Sequence, residues 1–141
     1  MRWTNTLEID TPIDLLWQVT MDVDALPSMT PTMSAVERLT PGELRPGSRV
    51  RIKQPAQPAR VWTVTTADAP HRFVWQTKVG PATMVATHEL TETERGTRNM
   101  LTLELTGPGS GLLGRLISGK ITETLTTENA GFKRTAESLK S

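Results

Sequence analysis

A chain of 141 residues is long enough to bury the core of one domain, and 16 basic against 15 acidic residues leave a net charge of +1, too little for a general electrostatic attraction to nucleic acid or to an anionic membrane. The absence of cysteine excludes disulfides, thiolate nucleophiles and cysteine-ligated metals. The two histidines, His71 and His88, stand apart with no carboxylate pattern around them that resembles a metal site, so neither a metal nor a cofactor is expected.

The amino terminus has no basic segment followed by an apolar stretch, and no apolar run approaches the roughly 20 residues that span a bilayer. Stable membrane insertion is not expected, and the cytoplasm is the expected compartment. Arg2 to Ile9 then alternates, with Trp3, Leu7 and Ile9 apolar between polar neighbours, as in a strand with one buried face. Asp10-Thr11-Pro12 stops it. Asp10 or Thr11 is suited to cap a helix whose first position is Pro12, where the missing N–H would be unsatisfied anyway. Ile13, Leu16, Trp17 and Thr20 follow at helical spacing, with Trp17 expected to pack that helix on the sheet. A second helical turn over Asp22 to Leu26 is expected to end before Pro27, and Ser28 to Met33 reads as irregular.

Six further strands are predicted near Ser34–Leu39, Ser48–Gln54, Arg60–Ala67, Arg72–Val79, Ala82–Thr91 and Arg98–Thr106. Turn residues separate them: Pro41-Gly42, Pro46-Gly47, Pro55 to Pro58, Ala69-Pro70, Gly80-Pro81 and Gly96. The pattern is that of an antiparallel meander. Arg45, Arg49, Arg51, Lys53 and Arg60 form the nearest thing to a basic cluster, but alternation puts most of them on the solvent face of a strand, and no nucleic-acid partner is expected.

From about Leu112 to Leu139 there is no proline. Leu113, Leu116, Ile117, Ile121, Leu125, Phe132, Ala136 and Leu139 share one broad helical face. Arg115, Lys120, Glu123, Thr127, Lys133, Arg134 and Lys140 occupy the opposite, solvated face. Gly114, Gly119 and Gly131 each weaken the helix by roughly 1 kcal/mol relative to alanine, so it depends on tertiary packing. Ser110 is placed to cap it. The run Gly107-Pro108-Gly109-Ser110-Gly111 reads as a hinge; a phosphate site is the alternative, but the lysine and spacing of a P-loop are missing.

This order of elements predicts one domain over residues 1–141, a curved sheet gripping the terminal helix with room between them for a ligand. Alternation turns Val50 and Ile52, Trp62 and Val64, Phe73 and Trp75, then Met84, Ala86, His88 and Leu90, and finally Leu101, Leu103 and Leu105 toward that helix. Soft and aromatic side chains suit an adaptable apolar cavity. A filled core is the alternative. The candidate ligand-contacting residues are Trp62, Phe73, Trp75, Met84, His88, Leu101, Leu103, Ile121, Leu125 and Glu128.

Two polar residues on apolar faces carry the chemistry that sequence can suggest. His88 could hydrogen-bond a ligand or move a proton near neutral pH, or simply pair with a backbone carbonyl or lie at the cavity edge. Glu128, between Leu125 and Phe132 on the helix stripe, needs a partner or a raised pKa if it is buried, or else lies at the stripe's edge in water. If the two face each other they form an acid–base pair. Thr124 is a weaker candidate, because a helical threonine often bonds its own backbone. No Gly-x-Ser-x-Gly elbow or Ser/His/Asp arrangement supports nucleophilic catalysis.

Thr11-Pro12 through Trp17, then Asp22, Pro27 and Pro31 leading into Val36-Glu37, resemble the opening signature of the START-like (SRPBCC) superfamily, in particular its polyketide cyclase/dehydrase and lipid-transport branch. Gly47 before a basic strand, Trp62, Pro70-His71-Arg72-Phe73-Val74-Trp75, Leu90, Gly96-Thr97 and Phe132-Lys133-Arg134 extend the resemblance over the whole chain. It implies an α+β helix-grip fold, with a seven-stranded curved antiparallel sheet around a long C-terminal helix and two short helices between the first and second strands. It also implies an apolar small-molecule ligand. Met29 stands where many relatives carry tryptophan, which suggests altered access at the pocket mouth.

Three functions follow as expectations. The first is binding of a small hydrophobic or aromatic molecule, lipid-like or polyketide-like. The second is a cofactor-independent cyclase, aromatase or dehydratase using His88 and Glu128, and the third is a protein-interaction module with a filled cavity. The ligand, any reaction and the oligomeric state are left open by the sequence.

Overall fold

The computed structural model describes residues 1–140. Among them, β1 (Arg2–Ile9) leads into α1 (Ile13–Met21), a 3-10 turn (Val23–Ala25) and the one-turn α2 (Leu26–Met29). Then come β2 (Ala35–Arg38), β3 (Arg49–Lys53), β4 (Arg60–Asp68), β5 (Arg72–Val79), β6 (Ala82–Thr93), β7 (Gly96–Thr106) and α3 (Ser110–Lys140). The sheet is antiparallel throughout, in the order β1-β7-β6-β5-β4-β3-β2. The fold is the helix grip that the sequence resemblance implied.

Chain reversals explain the order. Each hairpin pairs a strand with the next, and β1 closes the series by lying along β7, with Arg2 opposite Glu104 and Ile9 opposite Thr97. The β4–β5 register shifts between Val64 and Thr66, a bulge that bends and twists the sheet. Curvature gives it a concave face. Gly96 shows why one turn needs glycine: its φ is +142°, and a Cβ there would collide with the Ile9 carbonyl.

Two expectations about helix starts are corrected. Pro12 is the N-cap of α1 rather than its first residue, and no side chain caps that end. Pro27 does not stop the second helical turn but sits inside the first turn of α2, where an absent N–H costs nothing. Ser110 is likewise the first residue of α3, with Gly107 (φ +93°) and Gly109 (φ +76°) making the turn out of β7.

The terminal helix runs beside β1 along a rail of polar contacts. Trp3 Nε1 donates to Ser118 Oγ (2.9 Å), Asn5 Nδ2 to Thr126 Oγ1 (3.4 Å), Lys133 Nζ to the Glu8 carbonyl (3.3 Å) and the Asp10 amide to Glu137 Oε2 (2.9 Å). Lys140 ends it with an ion pair to Asp10 at 2.8 Å. At its centre Asn129, fully buried, donates through Nδ2 to Asn5 Oδ1 (2.8 Å) and to the carbonyls of Asn5 and Asn99 (both 3.2 Å). Asn99 Nδ2, also fully buried, returns a bond to Asn129 Oδ1 at 2.9 Å. Nearby, Gly131 lies against the Met29 carbonyl, which a Cβ would strike, and Arg134 Nη2 donates to that same oxygen at 2.8 Å.

The expected division of α3 into one apolar and one solvated face is therefore corrected. Ile121, Leu125, Phe132 and Ala136 are buried, but Leu116 and Leu139 are 75% and 58% exposed. Lys133, Arg134 and Lys140, assigned to water, make the structural bonds just described. Polar side chains serve here because the neighbours they meet are unpaired carbonyls and a carboxylate.

Asn129→Ala would leave the buried Asn99 Nδ2 without a partner and remove the bonds to Asn5, and it is expected to lower the unfolding free energy by about 2–4 kcal/mol in urea denaturation. Thr126→Ala, which removes an exposed contact from Asn5 and an exposed bond to the Thr122 carbonyl of its own helix, is expected to change it by less than about 0.5 kcal/mol.

Candidate functional site

Because α3 packs most closely on β1 and β7 at one edge of the sheet, and on α1 and α2, the concave faces of β3 to β6 are not filled by its backbone. A cavity of about 400 Å³ remains there, within the size range of small-molecule sites. Its walls are mostly apolar, and all ten sequence-predicted contact residues line it: Trp62, Phe73, Trp75, Met84, His88, Leu101, Leu103, Ile121, Leu125 and Glu128. Trp62 and Trp75 tilt against each other at 5.6 Å between ring centroids, and Phe73 meets Trp75 edge-on at 5.0 Å.

The deep wall holds His88. Cross-strand pairing sets it between Phe73 on β5 and Leu101 on β7, and its ring lies edge-on to Phe73 (5.7 Å) and to Phe132 of α3 (5.5 Å). Its Nδ1 is buried without a hydrogen-bond partner. Burial pushes the imidazole pKa down to about 4, so His88 is a neutral base at physiological pH. The backbone-carbonyl partner considered for this histidine belongs instead to His71, whose Nδ1 lies 3.3 Å from the Leu90 oxygen.

Glu128 lines the same cavity from α3. Burial raises its pKa to about 7 against a smaller opposing effect of one hydrogen bond, which Thr32 Oγ1 donates to Oε1 at 3.0 Å. The Thr32 hydroxyl lies in turn 2.9 Å from Thr30 Oγ1, so with Thr32 donating to the carboxylate, Thr30 donates to Thr32. A two-hydroxyl chain from the α2–β2 connection thus holds the carboxyl group. No hydrogen bond joins His88 to Glu128 among the described residues, although both line the cavity.

Several lining residues escaped sequence reasoning. Thr20 and Thr30 come from the short helices and the segment after them, while Gln54, Gln57, Arg60 and Lys120 form a polar rim. Arg60, read as part of a solvated cluster, is half-buried and donates to Gln57 Oε1 at 2.7 Å. Lys120, read as solvated, is exposed but also borders the cavity. Arg60 shares the parity of Trp62 and Val64 and pairs with the inward Ile52, so alternation itself puts it on the cavity face, and reading it with the solvated cluster overlooked this. Thr124 does line the cavity. Met29 does not: it is buried under Gly131, so its identity does not set access at the mouth.

Among the described residues, no group of three or more His, Asp or Glu side chains is placed to hold a metal ion. No helix among them is long and apolar enough to cross a membrane.

A seven-stranded sheet wrapped on a long helix over an apolar cavity defines the helix-grip class of fold, and comparison with known proteins specifies the family. The chain belongs to the polyketide cyclase/dehydrase and lipid-transport family, whose model matches residues 2–141. No curated protein matches the sequence. Among solved structures, the protein TTHA0849 from Thermus thermophilus is 20% identical with a TM-score of 0.79, covering 100% of both chains. The ZhuI aromatase/cyclase from Streptomyces sp. R1128 is 18% identical with a TM-score of 0.77 over 97% of this chain and 93% of its own. A hypothetical protein, jhp0584, from Helicobacter pylori reaches 0.82 at 9% identity, over 96% and 88% of the two chains. At these identities the likeness is one of fold.

The two shifted groups make opposite contributions to stability. Folding raises the Glu128 pKa from 4.5 to about 7, so the folded state holds the proton more tightly, and stability falls as pH rises through that interval. His88, lowered from 6.5 to about 4, costs stability as pH falls through its own interval. Glu128→Gln is therefore expected to gain stability relative to the native chain as pH rises from about 4.5 to above 7, read by urea unfolding at a series of pH values. A constant difference across that range would refute the buried, proton-holding carboxyl.

Proposed function

We propose that this protein binds a small hydrophobic or aromatic molecule, of lipid-like or polyketide-like character, between the sheet and α3. The observation that supports this most directly is the open cavity of about 400 Å³ walled by tryptophan, phenylalanine, methionine and leucine. Burial of apolar ligand surface supplies about 25 cal/mol per Å², and the polar groups at the rim and on the deep wall supply orientation. The family description, which joins polyketide cyclases and dehydrases with lipid transport, agrees with such a ligand. The open cavity counts against an interaction module with a filled core.

Since Trp62 and Trp75 line the site, titration with 2-naphthol is expected to change tryptophan emission saturably. Ala86 faces the cavity between Trp75 and Leu103, and Ala86→Trp, which fills the space, is expected to weaken binding at least about tenfold, roughly the 1.4 kcal/mol of a lost apolar contact set. Unchanged binding by a folded Ala86→Trp protein would place the ligand elsewhere.

A second reading, a cofactor-independent cyclase or dehydratase, is favoured by one observation: His88 and Glu128 border one cavity with pKa values pushed in opposite directions. A neutral imidazole can take the proton next to a ligand carbonyl while a protonated carboxyl gives one to the departing hydroxyl, which leaves as water. Turnover of a β-hydroxy ketone substrate would then show a bell-shaped pH profile with limbs near 4 and 7, and His88→Ala would abolish turnover while retaining ligand binding. Turnover that survives in His88→Ala would rule out this role.

A further inference from the structure

Charge is distributed unevenly around the cavity. Lys120 is the one exposed residue of the lining, and with the half-buried Gln54, Gln57, Arg60, Val79 and Ile117 it borders the cavity from the β3–β4 connection, the β5–β6 turn and the Ser110–Thr122 stretch of α3, while other half-buried lining residues, such as Met33 and Glu128, belong to other segments. No acidic residue lies between Lys53 and Arg60, between Lys78 and Ala82, or from Ser110 to Thr122, the first acid of α3 being Glu123. Lys53, Arg60, Lys78, Arg115 and Lys120 all fall within these stretches. In a chain whose overall charge is only +1, such a local excess is a positional feature rather than a compositional one.

The two cations that border the cavity are also uncompensated. Arg38, Arg51, Arg98, Lys133 and Lys140 each form an ion pair with a carboxylate. Arg60 has only the neutral Gln57 amide oxygen, and Lys120 has no hydrogen bond or ion pair among the described residues. The one acid in the lining, Glu128, lies two helical turns beyond Lys120, about 12 Å along the axis at 1.5 Å per residue, and bonds Thr32 rather than any cation. Low-dielectric walls concentrate the field of charges at a mouth, so the opening presents a positive potential to whatever enters. The interior beyond it is mostly apolar and holds no second cation, its polar groups being His88, Glu128 and threonine hydroxyls.

We propose that the ligand is an anionic amphiphile, with a carboxylate held at the mouth by Arg60 and Lys120 and an apolar body lying along the Trp62–Trp75 wall toward His88. This rests on the hydrophobic-ligand reading above and narrows it. Arg60 suits the role because its guanidinium is planar, permanently charged and able to meet both carboxylate oxygens. Gln57 fixes that guanidinium in place, and Lys120 adds a second, more mobile donor from the helix.

The test is displacement of a neutral fluorescent lipophile, N-phenyl-1-naphthylamine, by decanoate and by 1-decanol at about pH 7, which separates the anion from the chain that carries it. Decanoate is expected to displace the probe at a concentration at least about tenfold lower than decanol, the size of a charge-assisted hydrogen bond, and this ratio should shrink at high salt. In the Arg60→Gln/Lys120→Gln protein, checked for native circular dichroism, the ratio should fall to about one, with decanol in the same protein controlling for any change in the cavity. Failure of the probe to bind at all would overturn the hydrophobic-ligand reading together with this one. Binding of the probe with equal displacement by decanoate and decanol would leave that reading intact and overturn the anionic ligand. A preference for decanoate that persists in the double variant would overturn the assignment to Arg60 and Lys120.

Discussion

The attachment of α3 to β1 is the constraint on which the rest of the molecule depends. A helix held only by its apolar stripe would settle onto the middle of the concave sheet, where burial is greatest, and close the space beneath it. Here Ser118, Asn129, Lys133 and Glu137 meet Trp3, Asn5, Glu8 and Asp10 in sequence, holding the helix over the sheet's edge. Asn129 is decisive because it is fully buried and its bonds with Asn99 are shielded from water, so a shift of the helix would strand polar groups away from water. The glycine contact between α3 and α2 locks the same half of the helix from the other side. The apolar stripe then faces a sheet it cannot fully cover, and the cavity is the remainder.

That remainder sets the electrostatics. Removed from water and given no counter-charge, His88 and Glu128 both shift toward their neutral forms. The interior is therefore uncharged between about pH 4 and 7 although it contains a base and an acid, while the permanent charges, Arg60 and Lys120, stay at the opening where water can still reach them. An apolar body and a polar end are accommodated at different depths. The short helices contribute more than closure: the chain leaving α2 carries Thr30 and Thr32, which orient the Glu128 carboxyl from outside its own helix.

Alternation and periodicity carried most of the architecture in the sequence. Period-two patterning located the strands to within a few residues, because each has one face in the core and a register slip would expose it. The same patterning placed Trp62, Phe73, Trp75, Met84, His88, Leu101 and Leu103 on the inner face, and helical spacing placed Ile121, Leu125 and Glu128 opposite them. Those ten line the cavity. The buried asparagines escaped notice because a polar residue in a strand or helix carries no mark of the partner that makes its burial tolerable.

What the chain by itself determined is thus the set of elements, their antiparallel order and the chemical character of the inner face, all properties of neighbours a few residues apart. The tertiary structure decided what distant residues do to one another. It joined Asn5, Asn99 and Asn129 into one polar lock and brought Thr32 to Glu128. It turned Arg60 from a strand-edge cation into a group at the cavity mouth and left His88 unpaired between two phenylalanines. Each of these depends on where α3 comes to rest against the sheet, a position fixed by contacts between residues far apart in sequence, 127 positions between Asp10 and Glu137, which no local pattern encodes.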